Sequence, residues 1–269
     1  MIITKKEFDY LLANREKKKV LLKVNFFQEE IEVEIKKDKA YFSSEIILDL
    51  KLKLKDNSCY VIDEQGFREI SYFSTSTNRF YKLVPTLDWP TITISGVPMH
   101  KLNSPKEDTQ NKISFLKPYG VVLDTCMGLG YSAILCSKKA KKVITFEKDE
   151  FVFSIAKLNP LSKELFFSEN IEIRREDITI GIKEFPSGFF DCILHDPPTF
   201  KISPQLYSLN FYKELWRTLR PKGKLFHYTP LYKIKSGFNF PSKIREKLKK
   251  ANFKIINFSL KNGGFLCQK

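Results

Sequence analysis

The chain has 269 residues, 42% hydrophobic and 29% charged, with a formal net charge of +15. That length accommodates one large domain or two, and no apolar run approaches the roughly 20 residues of a membrane span. The start, Met-Ile-Ile-Thr-Lys-Lys-Glu, lacks the apolar core of a signal peptide, so a reduced cytoplasm is the expected compartment. Cys59, Cys126, Cys136, Cys192 and Cys267 form no Cys-x-x-Cys pair and there are only three histidines, which gives no support for a metal site. Forty-six Lys and Arg stand against thirty-one acids, a balance that attracts polyanions and makes nucleic acid the expected partner. The competing explanation is a lysine-rich proteome whose charges only solvate the surface.

Residues 1 to about 95 read as a small β-rich domain. A short helix is expected over 5–15. Strands are expected over 20–27, 31–35, 51–54, 60–63 and 67–73, separated by polar turns such as Lys37-Asp38-Lys39, Asp56-Asn57-Ser58 and Glu64-Gln65-Gly66. Residues 78–85 are expected to form a helical connector that Asp88-Trp89-Pro90 breaks. Two roles stand open for this domain: positioning RNA, or capping the sheet that follows. The extended segment 91–100 leads into the second domain and ends on His100, a linker histidine expected to be structural.

From residue 96 onward the texture changes to regular alternation. Ser104-Pro105 opens a helix with Glu107 and Asp108 in its first turn, and Pro118-Tyr119-Gly120 stops it. Strands then fall at 121–126, 143–147, 171–175, 189–195 and 223–229. Helical segments lie at 131–139, 149–158, 161–167, 178–185, 205–219 and 241–251. Strands 253–260 and 264–268 close the chain around the turn Lys261-Asn262-Gly263-Gly264. This is an α/β pattern: a parallel sheet covered on both faces, ending in an antiparallel hairpin. Ligands of such sheets bind outside the C-terminal strand ends.

Every motif of interest falls at those ends. Val121 to Gly130 reads Val-Val-Leu-Asp-Thr-Cys-Met-Gly-Leu-Gly, a buried strand, an acid and a glycine turn into a helix. Glu147 ends the second strand 23 positions after Asp124, where a ribose-binding carboxylate belongs in a nucleotide-binding βαβ unit. Glu176-Asp177-Ile178 follows the third strand and Asp196-Pro197-Pro198 the fourth. Acids at four successive strand ends carry more weight than a lone Gly-x-Gly.

On these motifs, and on the stretches from Asp124 to Ala133 and His195 to Phe200, the chain from about residue 96 to its end resembles the class I S-adenosylmethionine (SAM)-dependent methyltransferases, in particular an archaeal group of them. The resemblance implies a Rossmann-like, seven-stranded sheet over 96–269. Cys126 stands where the family pattern Asp-x-Gly-x-Gly-x-Gly has its first glycine, and a side chain there requires a negative φ. The resemblance further implies SAM as cofactor. Asp124, Cys126, Gly128 and Gly130 would frame its methionine part, Glu147 both ribose hydroxyls, Asp177 the adenine amino group and Ile178 the ring. Asp177 also suits the N-cap of the helix that Ile178 opens, a role that does not exclude the first.

In that family an Asp-Pro-Pro sequence followed by an aromatic marks methyl transfer to a planar exocyclic amine. Asp196 and the Pro197 carbonyl would accept its N–H groups, Pro198 would fix the turn, and Phe200 or Tyr207 would stack on a flipped base. His195 and His227-Tyr228 stand at neighbouring strand ends. The implied substrate is an RNA base, in ribosomal or transfer RNA, with cytosine N4 slightly ahead of adenine N6 and guanine N2. The rival readings are a protein or small-molecule N-methyltransferase, or an aminopropyltransferase of the same fold. A 5-methylcytosine enzyme fits worse, because Cys126 lies in the cofactor loop and Cys192 inside an apolar strand.

Overall fold

The computed structural model describes residues 1–100, 104–230 and 239–269. The chain forms two compact units, one of Met1–Lys106 with Ser154–Lys163, the other of Glu107–Phe153 with Glu164–Lys269. In the first unit, β1 (Ile2–Thr4) runs into α1 (Lys5–Ala13), and Thr4 and Glu7 form a reciprocal capping box at the junction. An antiparallel sheet follows from β2 (Lys19–Val24), β3 (Glu29–Lys36), β4 (Lys39–Tyr41) and β5 (Ile47–Asp49), paired in that order. In β2 the alternation is strict: Val20, Leu22 and Val24 are buried, while Lys19, Leu21 and Lys23 face out. β6 (Cys59–Asp63) pairs with β1 and with β7 (Gly66–Glu69). β8 (Ser71–Ser74), β9 (Arg79–Val84), β10 (Thr91–Ile94) and β11 (Val97–Pro98) make a third antiparallel sheet. Ile3, Phe8, Leu11, Leu22, Val33 and Ile62 belong to the core of this unit.

Two expectations for this region are corrected. Residues 51–54 form no strand: Lys-Leu-Lys-Leu alternates, but the pairing that β4 offers is taken by Ile47–Asp49. Residues 78–85 are not a helix. Asn78 turns the chain with φ 51° and Arg79–Val84 becomes a strand between β8 and β10. Phe80, Tyr81 and Val84 favour a pleated surface, and two flanking strands outweigh the helix propensity of Arg79, Lys82 and Leu83.

α2 (Pro105–Leu116), whose first turn carries Glu107 and Asp108, leads from the first unit into the second. There follow β12 (Val121–Asp124), α3 (Tyr131–Ser137), β13 (Lys142–Phe146), α4 (Glu150–Leu158), α5 (Lys163–Phe167), β14 (Ile171–Arg174) and α6 (Ile178–Gly181). Next come β15 (Phe190–His195), α7 (Leu209–Thr218), β16 (Leu219–Tyr228), α8 (Phe240–Lys250), β17 (Lys254–Ser259) and β18 (Gly264–Gln268). The seven strands lie in the order β14-β13-β12-β15-β16-β18-β17. β18 is antiparallel to both its neighbours, and the other pairs are parallel. The strand order reverses between β12 and β15, which makes the crevice beyond their C-terminal ends the natural ligand site.

The helix expected over 205–219 is divided. Pro204–Tyr207 is a 3-10 turn, and Ser208 then caps α7 by accepting from the Phe211 amide at 3.1 Å. α7 buries Phe211, Tyr212, Leu215 and Thr218 on one face against the sheet core. Among the described residues no helix is long and apolar enough to cross a membrane.

Candidate active site

β12 delivers Asp124 to the crevice, and the chain then turns through Thr125–Gly130. The turn is pinned on both sides: the Thr125 amide donates to Leu194 O at 3.0 Å and the Met127 amide to Phe146 O at 2.8 Å. Gly128 and Gly130 take φ of 55° and 77°, where a side chain is strained. A Cβ on Gly130 would also lie 2.4 Å from the Leu165 side chain, whereas Gly128 faces open space. Cys126 is not among the positive-φ residues, which is why the first glycine of the pattern can be replaced here. Burial pushes its thiol well above the ordinary range.

Asp124 is fully buried. Its Oδ2 accepts from Thr145 Oγ1 at 2.8 Å and Ser132 Oγ at 3.2 Å, while Oδ1 has no hydrogen-bond partner. Burial raises its pKa to about 7. Glu147, beyond the end of β13, accepts from the Gly128 amide at 3.2 Å and the Asp149 amide at 2.9 Å, and burial raises it to about 7 as well. Cys126, Glu147, Asp177, Ile178, Pro198 and Leu206 line a shallow cleft. Asp177 caps α6, its Oδ1 accepting from the Thr179 amide at 2.9 Å, and its Oδ2 pairs with Lys148 at 2.9 Å. Burial would raise its pKa, but Lys148 and the Thr179 donors outweigh that and hold it below the usual carboxylate range.

At the end of β15, Asp196 meets a residue that the sequence reading did not single out. Lys112 Nζ lies 2.7 Å from Asp196 Oδ2 and 2.7 Å from Asp108 Oδ2, and its side chain is only 4% exposed. The same ammonium sits 4.7 Å above the Tyr228 ring. Burial works against its charge, yet the two carboxylates prevail and carry its pKa above the ordinary lysine range. The only trace of this in the sequence is the spacing of Asp108 and Lys112, four apart on one helix, which ordinarily marks an exposed pair. Here the stripe Pro105, Asp108, Thr109, Lys112, Ile113 and Leu116 is the buried face of α2.

The Asp-Pro-Pro loop is held from behind. Tyr207 is buried and its hydroxyl donates to Pro198 O at 2.9 Å, so of the two candidate stacking rings only Phe200, 43% exposed, presents a face outward. His195 is fully buried. Its Nε2 donates to Leu206 O at 3.0 Å and its Nδ1 accepts from Thr125 Oγ1 at 2.8 Å, tying the glycine loop to the loop after β15. His227 pairs with the Tyr212 hydroxyl at 2.7 Å and the Tyr228 carbonyl at 2.6 Å, inside the core. Both imidazoles are neutral, their pKa values depressed by burial, that of His227 to about 4. His100, in the first unit, bonds Thr91 Oγ1 at 2.9 Å.

The strand order and the strand-end acids define a class I methyltransferase-like fold, and comparison with solved structures agrees. The chain superposes on spermidine synthase from Thermotoga maritima with a TM-score of 0.55 and 18% identity, covering 77% of this chain and 74% of that one. A spermidine synthase in complex with the transition state analogue AdoDATO gives 0.57 at 18% identity, over 77% and 75%. MnmC2 from Aquifex aeolicus gives 0.51 at 18% identity, over 70% of each chain. No protein-family model matches the chain. The chain belongs to the family of uncharacterized protein MJ1233 of Methanocaldococcus jannaschii, with which it shares 43% identity over 210 residues, 76% of this chain and 71% of the relative.

Proposed function

We propose that this protein is a SAM-dependent methyltransferase that methylates an exocyclic amino group of an RNA base, with cytosine N4 slightly ahead of adenine N6 and guanine N2. The observation that carries the cofactor reading is the pair Asp124 and Glu147. Two acids flank an open glycine turn, both with pKa raised to about 7, and one has an oxygen with no partner. A cationic ligand that brings hydroxyl donors fits that deficit. Asp124 and the loop around Gly128 would hold the amino-acid end and sulfonium of SAM, and Glu147 its ribose. Asp177 would reach the adenine only alongside its bonds to Lys148 and Thr179. Bound SAM supplies an electrophilic methyl group.

The chain's own residues then have to hold the amine. Its nitrogen is a weak nucleophile while its lone pair is delocalised into the ring. An N–H bond to Asp196 pulls the nitrogen toward a shape in which that pair is available. Lys112 fixes the carboxylate's orientation, and a carboxylate keeps acceptor capacity beyond one such bond. Phe200 offers the outward ring for a flipped base. The first unit is assigned either RNA positioning or a cap, and a cytoplasmic setting suits such a substrate.

A second reading has one observation in its favour, the likeness to spermidine synthases. Aminopropyl transfer asks for free carboxylates to hold a polyamine. Here Asp108 and Asp196 are already bridged by Lys112, which is why methyl transfer stands first. Incubating the protein with methyl-labelled SAM and total RNA, and in parallel decarboxylated SAM and putrescine, separates the two. Labelled N-methyl nucleosides support the first reading; a polyamine product overturns it.

A further inference from the structure

The net charge of the chain is not spread over it. Residues 201–269 hold sixteen Lys and Arg against two acids, Glu214 and Glu246, while residues 1–106 hold eighteen against fifteen. Several cations of the first unit are neutralised in place. Lys5 pairs with Asp9, Lys19 with Glu32, Lys36 with Glu34, Lys51 with Asp38, Lys55 with Glu69 and Arg68 with Asp63. α8 and the start of β17 carry a dense row of cations. Lys243, Arg245, Lys249, Lys250 and Lys254 are all exposed. Among the described residues, Arg245, Lys249, Lys250 and Lys254 have no carboxylate at ion-pair distance.

Helix stability does not account for this arrangement. Cations in the last turn of α8 complement its dipole, and Arg245 lies 5.4 Å over the Phe265 ring, but Lys243 sits in the first turn, where a positive charge is unfavourable. The inner face of α8, meanwhile, is built onto the loop after Asp196. Phe240 stacks edgewise on Phe200 at 5.9 Å and packs on Tyr207 at 5.6 Å, and Lys247 Nζ donates to Tyr207 O at 2.8 Å. The outer cations thus lie about one helix diameter, some 10 Å, from the residues that brace the Asp-Pro-Pro turn.

We infer that the outer face of α8, continued by Lys254, is the surface that grips the RNA backbone. It would present the phosphates flanking a target base to a row of exposed cations, of which Arg245, Lys249, Lys250 and Lys254 have no carboxylate at ion-pair distance among the described residues, on a helix packed against the substrate loop. The inference rests on the RNA reading above and adds to it the place of contact, on the second unit and not the first.

The test uses the full chain and a fluorescein-labelled, mixed-sequence RNA oligonucleotide. One variant carries Lys243→Glu, Lys249→Glu, Lys250→Glu and Lys254→Glu. The control carries the same charge change in the first unit, at Lys17, Lys18, Lys37 and Lys39. The α8 variant should bind at least about 100-fold more weakly and flatten the salt dependence of log K by about 3, since each lost phosphate contact removes 0.7–0.9 from the slope. The control should stay within about threefold of wild type, and SAM affinity should be unchanged in both. A lowered melting temperature with unaltered RNA binding would reduce the α8 cations to structural charges and overturn the inference. So would an equal or larger loss in the control. If the wild-type protein methylates RNA while the α8 variant binds it normally, this inference alone fails. If wild type binds the RNA without salt dependence, or binds polyglutamate as tightly, the RNA reading fails with it.

Discussion

Lys112 Nζ and Asp196 Oδ2 lie 2.7 Å apart, although 84 positions separate them in the chain. The contact joins α2 to the loop after β15 and makes the carboxylate of the Asp-Pro-Pro turn one half of a bridge to Asp108. A buried lysine shared by two acids is a weak stabiliser relative to an apolar trio, but it is costly to break from one side.

Lys112→Met should therefore do two separable things. It strands two carboxylates and should destabilise the fold by about 3–5 kcal/mol. It also frees the orientation of Asp196 and should slow single-turnover transfer by about 10²-fold, with SAM affinity little changed. Adding Asp108→Asn should recover much of the stability and little of the rate. Recovery of the rate along with the melting temperature would show that Lys112 acts only by supporting the fold.

Glu147→Ala should weaken SAM binding by about 1.5–3 kcal/mol, the worth of charge-assisted bonds to two hydroxyls. Calorimetric titration of the folded variant measures this directly. Unaltered affinity would remove Glu147 from the cofactor site.

Proton linkage gives a further check. With Asp124 and Glu147 near pKa 7 in the free protein, binding a cation should expel protons. Affinity should then rise with pH by about tenfold per group between pH 6 and 8. The same raised values mean that burial of these acids lowers the stability of the free protein as pH climbs from about 4 to about 7, and that the bound ligand lifts the penalty. Titrations in two buffers of different ionisation enthalpy count the protons. Uptake, or none, would contradict the assignment.

His195 and His227 carry the opposite sign. Both are buried neutral, with pKa values below that of a free histidine, so their contribution to stability is full above about pH 6.5 and is lost as pH falls toward about 4. The chain has only three histidines, so their ring proton resonances can be followed one by one. A midpoint near 6.5 for either of these two would mean that its ring reaches water.

Much of the second unit was legible because its signals are local. The run from Val121 to Asp124, the glycine turn, and Glu147 at its spacing fix a βαβ unit without help from distant residues. The tolerance of Cys126 was legible too, as a condition on φ that the loop meets. What escaped depends on which side of an element faces inward. The helix Pro105–Leu116 has a polar sequence, and nothing in its periodicity says that Asp108 and Lys112 turn toward the core rather than water. Residues 79–84 escaped for a related reason: their strand exists because β8 and β10 lie on either side, and pairing partners are invisible to a window of one segment.

The most exposed prediction concerns Asp196. Removing it leaves Lys112 paired with Asp108 at 2.7 Å, so Asp196→Ala should fold and should bind SAM nearly as wild type does, since Asp124 and Glu147 are intact. Its loss should still reduce transfer by about 10²-fold or more, because a bond from Asp196 to the amine strengthens as the nitrogen becomes tetrahedral and positive. No separate base is required in the methylation step itself: the proton is lost afterwards, from a nitrogen made strongly acidic by its new charge. Single-turnover transfer to ribosomal and transfer RNA, followed by digestion and nucleoside mass spectrometry, reads both the rate and the atom modified. Wild-type product methylated at an exocyclic nitrogen, with little from the variant, is the expected result. Methylation of a ribose oxygen or a base carbon would end the amine assignment whatever the variant does, because neither product carries its methyl group on an exocyclic nitrogen.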